Sequence, residues 1–258
     1  MNKTLFWIGD AEITLRELLL SFVILSVMLC SGFVISNKIN EAHNNKVYDY
    51  QTALQIEGSD TLSYAVKTNI GKILAYGNIK AVDPVTFDEL GTDVLYSHAS
   101  KVEEHYTMHT RVVTHTDGNG HTYTTTETYY TWDRYKEWNV CCSQVEFIGN
   151  TFSYNKIPFG HEEYITTDNF APSKRYVYYG APIESEGTLF AKIVENDLTE
   201  TSFHENKDIE RTLESVNKNI WKTVFWIVWI ILICGVEYGF FYLDNDWLNN
   251  KRRYKYGR

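Results

Sequence analysis

VFWIVWIILICGVEYGFFYL, residues Val224 to Leu243, is the stretch that decides the fold. Its twenty residues would form about 30 Å of α-helix, which is the thickness of the hydrocarbon core of a bilayer. Aromatic side chains stand at both ends of the run, as they do at membrane interfaces. They are Trp221, Trp226 and Trp229 near its start, and Phe240, Phe241, Tyr242 and Trp247 near its end. We therefore predict a transmembrane helix over residues 224–243.

A second apolar run, LLLSFVILSVMLCSGFVIS, covers Leu18 to Ser36. A cleaved signal peptide is the alternative interpretation of such a run near an N-terminus. The run is long for a signal peptide, the residues before it include Asp10, Glu12 and Glu17, and no small-residue cleavage pattern follows. These features favour an uncleaved transmembrane helix over residues 18–36.

Charge predicts the orientation of both helices. Five of the last eight residues, KRRYKYGR, are Lys or Arg, and such clusters remain on the cytoplasmic side. With two spans, both termini are then cytoplasmic. The predicted organisation is a cytoplasmic or interfacial N-terminus (1–17), the first span (18–36), an extracytoplasmic domain with juxtamembrane helices (37–223), the second span (224–243) and a basic cytoplasmic tail (244–258).

Composition and motifs argue against several classes of function. The net charge of −9 argues against a nucleic-acid partner, because phosphate contacts need a basic face. The sequence has no GxxxxGK[ST] phosphate loop, no GxSxG elbow and no HExxH, and no CxxC pair that would indicate a zinc site. Cys141 and Cys142 are neighbours, and a disulfide between neighbours is strained. We therefore expect no enzyme, no cofactor and no metal; a pocket collecting Asp, Glu or His from separate strands would favour an enzyme instead.

The region between the apolar runs predicts an α+β, strand-rich domain. The mixed N-terminal segment 1–17 is compatible with a short interfacial helix. Apolar residues continue at helical spacing after the first run, which predicts a helix extending towards Gly58. Ile209, Leu213, Val216 and Ile220 are also spaced as in a helix, and we expect that helix to be continuous with the second span.

A long β-hairpin is the clearest element of this domain. VEEHYTMHTRVVTHT and HTYTTTETYYTW flank DGNG, residues Asp117 to Gly120, whose residue types tolerate positive φ. With a loop of even length, odd positions of the first strand would share a face with even positions of the second. Neither face is uniformly apolar, so we expect an arm that is partly solvated near its tip.

Histidines are concentrated on this hairpin. A metal site is one interpretation of them, but His105, His109 and His115 are separated by about 13 Å and 20 Å along one strand, whereas zinc ligands converge to about 2 Å from a single point. An interaction surface is the favoured interpretation. Its candidate residues are His105, His109, Arg111, His115 and His121.

Several segments occur in an order that resembles a known domain. They are Gly71 to Val82, Val102 to Tyr106, Trp132 to Trp138, Ile157 to Phe159, and Arg175 to Ile193. Together with the two flanking apolar runs, they resemble the GIDE ("beside a membrane") domain, which lies between two spans in mitochondrial-type E3 ubiquitin ligases and their prokaryotic relatives. Those ligases carry a zinc-binding RING after the second span, and this sequence shows none in the fifteen residues after Leu243. The resemblance thus implies the sensing or scaffolding half of that architecture, without ligase activity.

The sequence as a whole favours a membrane-anchored, non-catalytic binding or scaffold protein, with a protein partner or self-association and no identified small-molecule ligand. The alternative is a membrane-perturbing or pore-forming oligomer. Glu237, the only ionisable residue in the predicted spans, is the candidate intramembrane functional residue. Because it lies about 9 Å from the end of its span, the favoured interpretation is that it extends towards Lys251 or Arg252.

Overall fold

The structure is a computed structural model that describes residues 4–8, 11–91, 93–118 and 120–256, with the backbone alone for 4–8, 11–12 and 246–256. The protein is α+β, with two long apolar helices on either side of a strand-rich region in the sequence. In chain order the elements are β1 (Thr4–Ile8), β2 (Ala11–Thr14), α1 (Leu15–Gln51), β3 (Leu54–Ile56), α2 (Ser59–Lys67), β4 (Lys72–Ala81), β5 (His98–Thr116), β6 (Thr122–Cys141), β7 (Gln144–Phe147), β8 (Asn150–Ser153), β9 (Glu163–Ala171), β10 (Lys174–Gly180), β11 (Glu184–Val194), β12 (Asp197–Glu205), α3 (Ile209–Asn217) and α4 (Ile220–Tyr256).

The chain divides into two compact units, Met1–Asp49 with Glu214–Arg258, and Tyr50–Leu213. The second unit contains two sheets. One has the strand order β12-β11-β4-β7-β8, with β3 pairing parallel to β4, and the other has the order β6-β5-β10-β9. The first sheet and α2 enclose the main hydrophobic core. Its largest side chains, all with an exposed fraction below 2%, include Phe147, Ile56, Leu62, Ile73, Ile79, Ile157, Leu189 and Leu198.

The helices of the first unit match the two apolar runs. Both are long and apolar enough to cross a membrane, and only 6% of the most apolar stretch of each is buried. The core helix of a soluble protein would have that stretch covered by protein. The two predicted helices are therefore confirmed as helices, with apolar surfaces that the chain itself leaves uncovered.

The N-terminus differs from the expectation of an interfacial helix. Residues 4–8 and 11–14 form an antiparallel hairpin, β1 and β2, and the helix begins only at Leu15. A capping box explains this start: the Glu17 carboxylate accepts hydrogen bonds from the Thr14 amide (2.6 Å) and hydroxyl (2.8 Å). The signal, Thr-x-x-Glu directly before an apolar run, is present in the sequence and sets the boundary there.

Two other helix boundaries also differ from the sequence predictions. The first helix ends at Gln51, and β3 follows where the sequence predicted helix up to Gly58. The helix predicted to be continuous with the second span is interrupted, because α3 ends at Asn217 and α4 begins at Ile220. The Asn219 side chain accepts a hydrogen bond from the Lys222 amide (3.1 Å), so it caps a new helix.

The side chain of Asp83, which follows β4, forms hydrogen bonds to the residues at the start of β7. Its carboxylate accepts hydrogen bonds from the Ser143 hydroxyl (2.6 Å), the Ser143 amide (2.9 and 3.0 Å) and the Gln144 amide (2.9 Å). These bonds, that of the hydroxyl first, lower the pKa of Asp83 from 3.8 to about 2.

A carboxyl whose pKa falls on folding stabilises the native state above its unfolded pKa and loses that contribution as the pH drops through the folded pKa. We therefore expect Asp83→Asn to lower the melting temperature at pH 7, and the difference from wild type to disappear as the pH falls from about 4 to about 2. Melting curves of both proteins across this range measure the effect. Asp93→Asn, at an exposed aspartate, is the control. A pH-independent difference would contradict the assignment.

Candidate functional site

The long hairpin leaves the rest of its sheet partway along its length. β5 and β6 pair from His98–Cys141 up to Thr116–Thr122, but β10 pairs with β5 only between Ala99 and His105. Residues 106–116 and 122–132 therefore form a two-stranded ribbon, here called the arm. Eleven residues per strand give a length of about 36 Å. Among the described residues, no strand pairs with either outer edge of the arm.

The loop at the arm's tip contains five residues, 117–121, because Thr116 pairs with Thr122. The Asp117 amide donates to the His121 carbonyl (2.9 Å), and the Asp117 carboxylate accepts from the His121 amide (2.8 Å). Gly120 has φ +83°, as expected for this turn, whereas Gly118 does not need positive φ and Asn119 lies outside the described residues. Because this loop has an odd number of residues, odd-numbered residues of β5 lie opposite odd-numbered residues of β6.

The predicted division of side chains between the two faces was therefore wrong. His109 lies opposite Tyr129, Arg111 opposite Glu127, and His115 opposite Tyr123, whereas a loop of even length would place even-numbered residues there. The error follows from the two-residue period of a strand, since one extra loop residue exchanges the faces of the whole second strand. The existence of the hairpin is confirmed.

The four candidate residues on β5 share its odd-numbered face, His121 lies in the loop at the tip, and the five do not converge. His109 Nε2 lies 2.6 Å from an Asp133 carboxylate oxygen, Arg111 binds Glu127 at 2.8 Å, and His115 stacks on Tyr123. Further from the tip, His105 lies 2.7 Å from Glu103 and stacks on Tyr135; at the tip, His121 lies 3.4 Å from Asp117. Each candidate thus engages a neighbour of its own, and the described residues contain no group of three or more His, Cys, Asp or Glu able to hold a metal ion.

Two carboxylates on this side of the hairpin titrate below their ordinary range. The hydrogen bond from the Thr131 hydroxyl, with a smaller contribution from His109, lowers the pKa of Asp133. Hydrogen bonds from Lys174 and His105 lower the pKa of Glu103. Both groups are therefore anionic at neutral pH, and each has a histidine next to it.

The even-numbered face of the arm carries an exposed apolar row. Tyr106 lies opposite Trp132, Met108 opposite Tyr130, and Val112 opposite Thr126. Met108 is 60% exposed and Val112 is 69% exposed. Near the base, the Tyr106 ring packs against Trp132 at 5.1 Å, and the Arg175 guanidinium covers Trp132 at 4.3 Å. The base of the row is thus held by the sheet, while its outer part is open to a partner.

A separate cleft of about 590 Å³ collects residues that the sequence did not single out. The Tyr154 hydroxyl lies 2.8 Å from His98 Nδ1, and His98 Nε2 lies 3.4 Å from the Glu162 carboxylate. The Glu162 carboxylate also accepts from the Ser100 hydroxyl (3.1 Å), and Glu205 accepts from the Gly160 amide. No local sequence pattern indicates this cluster, because its members come from separate elements.

The cleft is lined in part by polar side chains that are hydrogen-bonded to each other, such as Tyr154 and His98. Burial raises the pKa of Tyr154 to about 12, so its hydroxyl keeps its proton at neutral pH. A protonated phenol can donate a hydrogen bond to a ligand, but it is a poor nucleophile. The pocket gathers His and Glu from separate elements, which is the arrangement that the sequence analysis named as favouring an enzyme.

Glu237 faces the first helix of its own chain. The Ser21 hydroxyl donates to Glu237 Oε2 at 2.7 Å, whereas the sequence favoured contact with Lys251 or Arg252, whose side chains lie outside the described part. About two turns after Glu237 on α4, the Asp244 carboxylate accepts hydrogen bonds from Arg16 of α1 at 2.5 and 2.6 Å. The pairing of α1 with α4 provides this closer partner, which the sequence of α4 alone does not reveal.

Towards the other end of the helix pair, two indole groups of α4 donate hydrogen bonds to α1. Trp226 Nε1 donates to the Ser36 hydroxyl (3.0 Å), and Trp229 Nε1 donates to the Met28 carbonyl (3.1 Å). Trp229 fills the space next to Gly32, where an added Cβ would lie 2.4 Å from its Nε1 atom. The two helices therefore pair through specific polar and close-packed contacts.

Comparisons with known proteins leave the family of the chain open: no protein-family model, no curated protein and no solved structure matches it.

Proposed function

We propose that the chain is a membrane-anchored, non-catalytic binding protein that uses the arm to contact a protein partner. The exposed row Met108, Val112 and Tyr130 on an otherwise unsupported ribbon carries this proposal. A two-stranded ribbon is marginally stable alone, and exposed apolar side chains on it cost solvation energy until a partner covers them.

In this proposal α1 and α4 span the membrane as a helical hairpin. Their length, their apolar composition and their low burial by protein support it. The five basic residues among the last eight support a cytoplasmic C-terminus, with residues 37–223 on the opposite side. The resemblance to the GIDE domain agrees with this arrangement and with a scaffolding role.

The pore-forming alternative receives less support from the contacts of Glu237. A pore would need this carboxylate to face water or another copy, but Oε2 accepts a hydrogen bond from Ser21 of the same chain. Binding by the arm is the function that the geometry supports best.

The proposed topology can be tested with protease added to right-side-out vesicles. We expect cleavage between residues 37 and 223 and retention of a tag at the C-terminus. Loss of that tag from sealed vesicles would overturn the orientation, and protection of the whole chain would overturn the exposure of the domain.

The binding role can be tested with a matched pair of variants on adjacent positions of the arm. Val112→Lys places a charge on the apolar face, whereas Val113→Lys places the same charge on the histidine face. After mild detergent extraction, we expect Val112→Lys to lose the proteins that copurify with wild type and Val113→Lys to retain them. Equal retention by both variants, with unchanged melting temperatures, would overturn the role of the apolar row.

A further inference from the structure

The cleft that contains Tyr154 and His98 has the size and composition of a small-molecule site. Its volume of about 590 Å³ lies within the range of about 300–1,000 Å³ that such sites occupy. Among the aromatic rings of its lining, Tyr154 packs edge-on against Phe159 at 6.2 Å, and Phe159 packs edge-on against Phe203 at 6.4 Å. None of the residues that line the cleft belongs to the arm, so a ligand here is bound independently of the arm.

The walls of the cleft are held in place by contacts within the chain. His204 Nε2 lies 3.0 Å from the Tyr50 hydroxyl, and Tyr50 is only 2% exposed. The Gly160 amide donates to the Glu205 carboxylate. Gly160 has φ +86° and no room for a Cβ atom, so the backbone at this point is closely packed and the position of its amide is fixed. A cleft whose walls are already ordered pays little conformational entropy when a ligand binds.

Charged groups of both signs line this cleft. Lys207 supplies an ammonium group, and no described residue forms an ion pair with it. Glu205 supplies a carboxylate, and together with His161 it also lines a neighbouring cleft of about 610 Å³. Among the described residues that line the neighbouring cleft there is no Lys or Arg, whereas it includes three further carboxylates, Glu163, Glu184 and Glu186. The cleft therefore offers a cation at one place and an excess of negative charge on the side that it shares with its neighbour.

We propose that this cleft binds a small zwitterion with an apolar body, of the class to which the aromatic amino acids belong. The carboxylate of the ligand pairs with Lys207, and its ammonium group pairs with Glu205. The apolar body packs on the partly exposed ring of Phe203.

The charges of the cleft favour a zwitterion over a ligand with a single charge. A carboxylate that lacks an ammonium group leaves Glu205 without a counterion and is repelled by the carboxylates of the neighbouring cleft. An amine that lacks a carboxylate leaves Lys207 without a counterion. Only a ligand with both groups forms a charge-assisted hydrogen bond at each place.

Three compounds with the same ring test this inference by isothermal titration calorimetry on the full chain in detergent. Phenylalanine carries both charges, phenylpropionate lacks the ammonium group, and phenethylamine lacks the carboxylate. We expect phenylalanine to bind at least about tenfold more tightly than either analogue, because each analogue loses one charge-assisted hydrogen bond. Absence of phenylalanine binding, or equal affinity for one of the analogues, would overturn the inference.

Two variants assign the charges to their residues. Lys207→Met should weaken phenylalanine binding about tenfold and leave phenethylamine binding unchanged. Glu205→Gln keeps an oxygen that accepts from the Gly160 amide, so it should weaken phenylalanine binding by a similar factor and leave phenylpropionate binding unchanged. The controls Lys67→Met and Glu57→Gln remove the same charges at exposed positions outside the cleft, and they should bind all three compounds as wild type does.

The pattern across the compounds separates ligand contacts from support of the cleft. If Lys207→Met or Glu205→Gln weakens all three compounds alike, the residue only maintains the shape of the cleft and the assignment of charges is wrong. If a variant does not fold, the comparison of the three compounds on wild type still decides the inference. Failure here leaves the role of the arm untouched, because Val112→Lys tests that role through copurifying proteins.

Discussion

Replacing Phe147 with alanine should lower the free energy of unfolding by about 3–5 kcal/mol. Phe147 ends β7, is fully buried, and packs edge-on against Phe203 with a ring separation of 6.2 Å. It also lies opposite Ile79 in the central strand β4, so its ring fills the middle of the core rather than its margin. Removing it leaves a cavity that the surrounding sheet cannot close.

The measurement is the shift in unfolding midpoint of the full chain in detergent, followed by circular dichroism of the strand-rich domain. Phe170→Ala is the matched control, because Phe170 is 69% exposed on β9 and its removal should cost less than about 0.5 kcal/mol. Similar shifts for the two variants would show that Phe147 is not in a close-packed core.

The second large effect is expected at Gly32 of α1, which packs directly against the Trp229 indole of α4. Any side chain there must displace the Trp229 indole, whose Nε1 atom donates to the Met28 carbonyl. Gly32→Leu should cost about 1–3 kcal/mol of helix pairing through overpacking, and it should break this hydrogen bond as well. We expect the paired helices to separate at this point.

A short bis-thiol crosslink between Ser21→Cys and Glu237→Cys reports the pairing. The background lacks the exposed native cysteines Cys30, Cys141 and Cys234. The yield of the crosslink should fall strongly with Gly32→Leu. It should be unchanged with Gly235→Leu, since no atom lies within 4 Å of a Cβ added at Gly235. If Gly32→Leu leaves the crosslink intact, the helices do not pair through this contact.

The sequence predicted the elements whose signals are local. Two apolar runs of membrane length predicted α1 and α4, and strand residues on both sides of Asp117–Gly120 predicted the hairpin. The capping box Thr14–Glu17 is also a local signal, a Thr-x-x-Glu pattern directly before an apolar run, although the sequence prediction did not include it. These features depend on neighbouring residues, so they can be recognised without knowing the rest of the fold.

The face of each arm residue depended on the tertiary structure. A loop of four residues and one of five are both compatible with DGNGH, and the Asp117–His121 hydrogen bonds select five. Since strand side chains alternate, that one residue decides whether His109 faces Tyr129 or an even-numbered neighbour. The candidate residues could thus be named from the sequence, but their partners could not.

The sequence by itself determined that the chain has two apolar helices and, between them, a strand-rich region with a long hairpin. Only the tertiary structure decided that β10 pairs with the base of the hairpin and leaves the arm free, that Ser21 donates to Glu237, and that Tyr154 and His98 are hydrogen-bonded in one cleft. The reason is physical: helix and turn formation follow from interactions over a few residues. These tertiary contacts join residues 56 to 216 positions apart, so their geometry depends on how whole sheets and helices pack.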